Sequence, residues 1–132
     1  MKQILLDTNF LLIPAQFKVD IFSEIDRISY FKYELIVIDK TLEELEQISK
    51  GKGKDGRAAK VAIKLITNKK IKVISTSDTS AGTDYADRMI IEIAGNNKEI
   101  IVATQDRQLK KILHENKTKL IVMKNKGHLD FA

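Results

Sequence analysis

The chain has 132 residues, of which 43% are hydrophobic and 31% charged, a balance that excludes an intrinsically disordered chain and fits one domain with a hydrophobic core. It contains no cysteine, which excludes a disulfide framework and a thiolate metal site, and no apolar run long enough to span a membrane. The formal net charge of +5 modestly favours a polyanionic partner, and the lack of a signal-peptide pattern after Met1 makes us expect a cytoplasmic protein.

The first predicted element is a buried strand that ends on a carboxylate. Residues 4–6 form a short apolar run, and Asp7, Thr8 and Asn9 follow it with side chains typical of a turn. In open α/β sheets, ligands bind at the carboxyl ends of the strands. Asp7 is therefore the first candidate site residue, and we expect Thr8 and Asn9 to shape the turn and orient Asp7.

Predicted strands and helices alternate through the rest of the chain. This alternation predicts a three-layer α/β/α sandwich with a central, mainly parallel five-stranded sheet in the order 3-2-1-4-5. We expect residues 1–124 to form a single domain and residues 125–132 to be a C-terminal tail. The further strands are expected over 34–38, 71–74, 100–103 and 120–123, and the helices over about 17–29, 42–48, 57–68, 84–97 and 109–113.

Acidic residues collect at one edge of this predicted sheet. Asp7 ends the first strand, Glu44 lies early in the helix after the second, Asp84 and Asp87 open the helix before the fourth, and Asp106 follows the fourth. Each acid taken alone has a simpler explanation as a helix cap or as a favourable charge at a helix N-terminus. Their shared edge favours a joint site, and clustered carboxylates suit Mg²⁺ or Mn²⁺.

Four short segments surround these acids: Asp7-Thr8-Asn9, Glu44 before Leu45, Ala86-Asp87, and the run from Val102 to Asp106. These segments resemble the acidic motifs of PIN domains, which are small α/β nucleases related in fold to flap endonucleases. The resemblance spans residues 3–123, and four motifs in this order and spacing are more specific than any one of them. The glycine- and lysine-rich segment, with the residues after it, resembles the archaeal and eukaryotic rRNA-processing branch of the family.

The resemblance implies a metal-dependent endoribonuclease that acts on rRNA precursors, with Mg²⁺ or Mn²⁺ as its cofactor. Related domains often form homodimers. An auxiliary metal role is implied for Asp84 and an orienting role for Thr104, whereas Arg88 departs from the related branch, which often has a second acid there. The residues implied to be both catalytic and metal-ligating are Asp7, Glu44, Asp87 and Asp106.

A basic segment in the middle of the chain is the expected RNA-binding surface. Residues 49–56 contain three glycines and three lysines and are expected to form a mobile surface loop. Residues 50–72 contain nine Lys or Arg and one Asp, a net charge of +8, which suits a phosphate backbone, although a solvated lysine-rich surface is the simpler explanation. The low aromatic content predicts binding led by phosphate contacts. The residues expected to contact RNA are Lys50, Lys52, Lys54, Arg57 and Lys60.

Other classes of function remain open. Within the nucleases, the chain could be the toxin of a toxin–antitoxin pair, and outside them a catalytically silent RNA-binding assembly factor. A haloacid-type phosphotransfer domain needs a second Asp at the position of Asn9, and a receiver domain needs an early acid pair that this chain lacks. His114 and His128 lie far from the acids in sequence and are expected to be surface residues.

Overall fold

The computed structural model of the protein describes residues 1–76, 85–125 and 127–132. The sheet formed by these residues has six strands in the order β3-β2-β1-β4-β5-β6, in which β1 to β5 pair in parallel and β6 runs antiparallel to β5. The predicted α/β class, the mainly parallel sheet and its order 3-2-1-4-5 are therefore confirmed, with one strand added. The strands are β1 (Lys2–Leu6), β2 (Tyr33–Ile38), β3 (Lys72–Ile74), β4 (Ile100–Ala103), β5 (Lys119–Lys124) and β6 (His128–Phe131).

Alternate side chains of the strands point to opposite faces of the sheet. Helices cover both faces, so the sheet lies between two separate cores. Ile4 and Leu6 of β1 pack in the core beneath the helices of the first half of the chain, whereas Leu5 packs in the core beneath α6 and α7. No helix in the described part of the chain is long and apolar enough to cross a membrane. The helices are α1 (Thr8–Leu11), α2 (Ile13–Phe17), α3 (Ile21–Ile28), α4 (Asp39–Ser49), α5 (Lys54–Asn68), α6 (Tyr85–Asn96) and α7 (Arg107–Glu115).

The helix predicted over residues 17–29 begins later in the structure. Lys18 adopts a left-handed conformation with φ of 55° and ends α2. Asp20 then caps α3, because its carboxylate accepts the N–H groups of Phe22 and Ser23. The apolar residues keep a helical spacing from Phe17 into α3, so their periodicity alone does not show that the chain breaks between α2 and α3.

The loop predicted over residues 49–56 is shorter and better packed than expected. α4 ends at Ser49 and α5 begins at Lys54, so only the residues between them form a turn. Gly56 is buried within α5, where an added Cβ would lie 2.1 Å from the carbonyl oxygen of Gly51. Part of the glycine content thus serves a close approach of two backbones, and the expected loop is wrong for residue 49, which lies in α4, and for residues 54–56, which lie in α5.

The sixth strand lies in the segment that the sequence left as a C-terminal tail. Leu129 of β6 is fully buried, and Phe131 packs against the same core. The side chains of α3 hold the outer side of this strand: Glu24 accepts the Leu129 N–H at 3.0 Å, and Arg27 donates to the Leu129 carbonyl at 3.0 Å. Only two apolar residues alternate in this short strand, which gave periodicity too little to detect.

Candidate functional site

Asp7 lies where β1 ends and α1 begins. It is only 5% exposed, and its Oδ1 caps α1 by accepting a 2.8 Å hydrogen bond from the Thr8 N–H. Burial raises the pKa of the Asp7 carboxyl; hydrogen bonds from Thr104 and Thr8 oppose this shift, and the charges of Glu44 and Asp106 reinforce it. The end of β1 therefore holds a buried carboxylate with other acids close enough to affect its ionisation.

The Thr104 hydroxyl joins the ends of β1 and β4. Leu6 pairs with Ala103 in the sheet, so Asp7 and Thr104 leave neighbouring strands at the same level. The buried hydroxyl donates a 2.8 Å hydrogen bond to Asp7 Oδ2 and accepts one of 3.1 Å from the Asp106 N–H. One hydroxyl thus orients two of the predicted acids, in the place where the resemblance puts an orienting residue.

Asp106 is fixed by the turn after β4. Its Oδ1 accepts the Leu109 N–H at 2.9 Å and caps α7. Gln105 fastens the same turn to β5, because its Oε1 accepts the Met123 N–H at 2.8 Å. The sequence analysis gave Gln105 no role, although it lies inside a quoted motif; only the pairing of β4 with β5 brings its partner near.

Glu44 reaches the site across the contact between α1 and α4. The Thr8 hydroxyl donates a 3.1 Å hydrogen bond to Glu44 Oε1. Partial burial raises the pKa of the Glu44 carboxyl, the Thr8 hydrogen bond opposes the shift, and the charge of Asp87 adds to it. Thr8 therefore links Glu44 to the end of β1, which extends its expected role beyond shaping a turn.

Asp87 and Asn9 are the remaining predicted site residues that the structure describes. Asp87 is in the first turn of α6, partly exposed, and acts on Glu44 through its charge. Arg88, beside it, is exposed, as is Asn9 on α1. Asp84 lies outside the described residues, so its predicted role stays a prediction.

Asp39 is a further carboxylate at this edge, which the sequence analysis did not include among the site acids. Burial alone would raise the pKa of Asp39. Hydrogen bonds from the Thr76 N–H and hydroxyl, together with Lys40, lower it by more, so the pKa of Asp39 is lowered overall. The two bonds from Thr76 measure 3.0 and 2.8 Å. Asp39 therefore clamps the start of α4 to the chain after β3 and has a structural role.

The donor chemistry of the site suits a divalent cation, although the side chains do not form a ready cage. Within residues 1–76, 85–125 and 127–132, no group of three or more His, Cys, Asp or Glu is arranged to hold a metal ion. Carboxylate oxygens are nevertheless the hard ligands that Mg²⁺ and Mn²⁺ prefer, and an oxygen that accepts one hydrogen bond keeps a second lone pair. Burial and, to a lesser degree, neighbouring acids raise the pKa of Asp7 and of Glu44, and a bound cation would favour the ionised form of both carboxyls.

The predicted RNA-binding residues lie around the turn between α4 and α5. Lys50 follows Glu44 by six residues, which is about 9 Å along a helix axis at about 1.5 Å per residue. The basic surface therefore begins at the C-terminal cap of α4, the helix that carries Glu44. The exposed residues of this surface are Lys50, Lys52, Lys54, Arg57 and Lys60.

The fold and the acidic edge define a small α/β domain with its polar centre at the switch point between β1 and β4. The chain belongs to the PIN-like domain family, whose model matches residues 4–126. The resemblance stated from the four acidic motifs is thereby confirmed.

Two curated proteins are similar over most of this chain. Ribonuclease VapC4 of Methanocaldococcus jannaschii is 35% identical over 133 residues, which cover 98% of this chain and 96% of that protein. The rRNA-processing protein FCF1 of Saccharomyces cerevisiae is 34% identical over 108 residues, which cover 82% of this chain. The aligned region spans about half of FCF1, 52% of its length.

Solved structures support the fold independently. The PIN domain endonuclease Utp24 superposes with a TM-score of 0.81 at 22% identity, over 98% of this chain and 90% of that one. A domain of a functionally unknown protein from Methanocaldococcus jannaschii gives a TM-score of 0.63 at 16% identity, over 95% of this chain and 93% of that one. At these identities the likeness establishes the fold alone.

Proposed function

We propose that this protein is a metal-dependent endoribonuclease that hydrolyses phosphodiester bonds of RNA, with rRNA precursors as its substrate. The observation that carries the proposal is the buried Asp7 carboxylate, linked by Thr104 to Asp106 and by Thr8 to Glu44. Similarity to a ribonuclease and to an rRNA-processing protein supports the reaction and the substrate class.

The acids of this edge would hold Mg²⁺ or Mn²⁺. Such an ion, when bound, acidifies a coordinated water and neutralises charge on the phosphate. Asp7 supplies a carboxylate at a fixed position, because both its oxygens are oriented by hydrogen bonds. Glu44 and Asp106 approach from α4 and from the turn before α7. Asp87 would add a carboxylate from the first turn of α6. The auxiliary metal role of Asp84 stays a prediction from the sequence.

The basic surface around the α4–α5 turn would hold the RNA backbone. Its lysines and arginine are exposed, and the turn is fixed by the close approach of Gly51 to Gly56. The basic side chains would attract the phosphates of RNA, and the carboxylates of the acidic edge would bind the metal ion. The proposed contacts are Lys50, Lys52, Lys54, Arg57 and Lys60.

The test is incubation of the purified protein with labelled pre-rRNA fragments in Mg²⁺, in Mn²⁺ and in EDTA. We expect internal cleavage that depends on the ion. Attack by water leaves no 2′,3′-cyclic phosphate, whereas attack by the ribose 2′-hydroxyl does, so mass analysis of the product ends separates this reaction from metal-independent cleavage. Cleavage in EDTA, or cyclic phosphate ends, would contradict the proposal.

A second candidate within the same class is the toxin ribonuclease of a toxin–antitoxin pair. It is favoured by the similarity to Ribonuclease VapC4, which covers nearly the whole of both chains. The two candidates differ in substrate: we expect the rRNA-processing enzyme to cut precursor fragments and leave mature rRNA and tRNA intact. Expression that arrests growth and is rescued by the product of a neighbouring gene would favour the toxin.

A further inference from the structure

Helix α7 connects the acidic edge of the sheet to the opposite edge. It begins directly after Asp106, which caps it, and the chain then enters β5 at Lys119. Because β5 runs parallel to β4, the start of β5 lies at the edge of the sheet opposite Asp106. Arg107 and Lys117 are ten residues apart, which is about 15 Å at about 1.5 Å per residue.

The outer face of α7 is basic. Leu109 and Leu113 are buried in the core, whereas Arg107 and Lys111, one helical turn apart, are exposed on the other side. Among the described residues, the side chains of these two cations form no hydrogen bond or ion pair. Residues 107–119 contain five Lys or Arg and a single acid, a net charge of +4. A positive face therefore begins beside one of the site acids and leads away from it.

A cleft of about 430 Å³ lies at the far end of α7. It is formed where α6 and α7 end and where β1, β4 and β5 begin, at the edge of the sheet opposite the acids. Four of its lining residues are lysines, and within the part of the chain that the structure describes neither Asp nor Glu lines it. The lysines are Lys2, Lys98, Lys117 and Lys119.

Two of these four lysines are already engaged. Lys2 forms an ion pair of 3.4 Å with Glu99, and the ammonium of Lys119 lies 5.2 Å from the centre of an aromatic ring of β6. Lys98 and Lys117 are exposed, and over residues 1–76, 85–125 and 127–132 their side chains form no hydrogen bond, ion pair or ring contact. These two ammonium groups can bind an anion without giving up a partner.

The helix dipole offers a simpler explanation for part of this charge. A cation near the C-terminal end of a helix is favourable, and Lys98 follows α6 as Lys117 follows α7. Arg107 does not fit that explanation, because it occupies the first turn of α7, where the dipole disfavours a cation. The basic face therefore begins with a charge that the helix itself does not favour, next to Asp106.

We propose that the RNA strand bound at the acidic edge continues along the outer face of α7, with phosphates held by Arg107 and Lys111. A further phosphate is held in the cleft by Lys98 and Lys117. The inference rests on the proposed function and adds to it the path of the substrate away from the acids. An acidic protein segment is the competing occupant. RNA is favoured because the basic face starts at Asp106, where the phosphate to be cleaved would bind.

The test is the salt dependence of the affinity for a fluorescein-labelled single-stranded RNA, measured by anisotropy in EDTA, where no cleavage is expected. Each lost phosphate contact should flatten the plot of log Kd against log salt by about 0.7, so a double variant should flatten it by about 1.4. We expect this of Arg107→Gln with Lys111→Gln, and of Lys98→Gln with Lys117→Gly. An unchanged slope in either double variant would overturn the proposed path and leave that surface to a protein segment.

The single variant Lys117→Gly separates RNA binding from the stability of the helix end. Lys117 follows α7 with φ of 63°, a left-handed conformation that favours glycine. Lys70→Gly is the matched control, because Lys70 is an exposed lysine that follows α5 in the same conformation, with φ of 52°, and lies outside the proposed contacts. Glycine relieves the same backbone strain in both variants, so their melting temperatures should change alike.

Only Lys117→Gly should weaken RNA binding. The loss of one phosphate contact corresponds to a Kd about 5-fold weaker near about 0.1 M salt, and the difference should vanish towards about 1 M. Equal affinities of Lys117→Gly and Lys70→Gly would mean that Lys117 serves the helix end alone, and would overturn its phosphate contact.

The length of the RNA tests whether the cleft lies on the path from the acids. An RNA too short to reach from the acidic edge to the cleft should bind wild type and Lys117→Gly alike, whereas a long RNA should show the loss. An equal loss for both lengths would indicate a general effect of net charge and would contradict the path. The readout is binding, so these outcomes are independent of whether the acidic edge cleaves RNA.

Discussion

The hydroxyl of Thr104 donates a 2.8 Å hydrogen bond to Asp7 Oδ2 across the boundary between β4 and β1. The two residues are far apart in the chain, and only the parallel pairing of their strands brings them together. Thr104 also accepts the Asp106 N–H, so one buried hydroxyl sets the positions of two acids. Any function of this edge must therefore depend on Thr104 as well as on the carboxylates.

Thr104→Val should reduce activity while preserving the shape of the site. Valine cannot donate to Asp7 or accept from Asp106, and loss of a residue that orients a metal ligand typically costs about 10- to 100-fold. We also expect a loss of about 1–3 kcal/mol in the free energy of unfolding, because buried polar groups lose their partner. Thr104→Ser keeps the hydroxyl and is the control; if it loses as much activity as the valine variant, the hydrogen bonds are not the reason.

Asp7→Asn should stabilise the metal-free protein at neutral pH. The Asp7 carboxyl has a raised pKa through burial and the nearby Glu44 and Asp106 charges, so ionisation at pH 7 opposes folding, and a neutral amide removes that cost. The gain should fall within the range of about 0.5–2 kcal/mol that stabilising substitutions commonly yield.

Thermal melts in EDTA and in Mn²⁺ measure this effect. Mn²⁺ should raise the Tm of the wild type more than that of Asp7→Asn, because a ligand that binds only the native state stabilises it. A lower Tm for the variant in EDTA, with no response of either protein to Mn²⁺, would mean that Asp7 acts only as the cap of α1.

Gly56→Ala should destabilise the α4–α5 hairpin. The added Cβ would lie 2.1 Å from the Gly51 carbonyl oxygen, a backbone atom that cannot move aside without shifting the turn. Gly95→Ala on α6 is the matched control, since no atom lies within 4 Å of its added Cβ, and alanine should there be neutral or stabilising by up to about 1 kcal/mol. Urea unfolding of both variants decides the point; similar midpoints would mean that the hairpin opens without cost.

Glu24 should make the stability of the protein depend on acid pH. Hydrogen bonds from Arg27 and from the Leu129 N–H lower the pKa of Glu24 to about 2, from its ordinary value of 4.5. A lowered folded-state pKa stabilises the fold above the unfolded value, and this contribution is lost as the pH falls from about 4.5 towards 2.

The comparison of Glu24→Gln with wild type measures this contribution. The variant should be less stable at pH 7, and the difference should shrink as the pH falls below about 4.5. Glu92→Gln, at an exposed position of α6, is the control and should follow the wild type. A difference that stays constant between pH 7 and pH 3 would assign the effect to packing rather than to charge.

The positions of Asp7 and Asp106 at the acidic edge could be predicted, because an apolar run in the sequence shows where a strand ends. The apolar runs before Asp7 and Asp106 located two strand ends, and parallel winding brought those ends together. The Thr8–Glu44 hydrogen bond could not be predicted, since it depends on how α4 rotates against α1. Gly56 was misread because a flexible loop and a close backbone approach both select glycine.

The most direct test of the central claim is single-turnover cleavage of a 5′-labelled RNA across a Mn²⁺ titration. Wild type and Asp7→Asn are compared with Asp26→Asn, an exposed acid on α3, as the control. We predict saturable, Mn²⁺-dependent cleavage by the wild type and the control, and a loss of more than about 100-fold in Asp7→Asn, beyond that expected for an outer residue of a metal site. Equal cleavage by all three proteins, or cleavage by wild type that ignores Mn²⁺, would contradict the assignment of the acidic edge as a metal-dependent nuclease site.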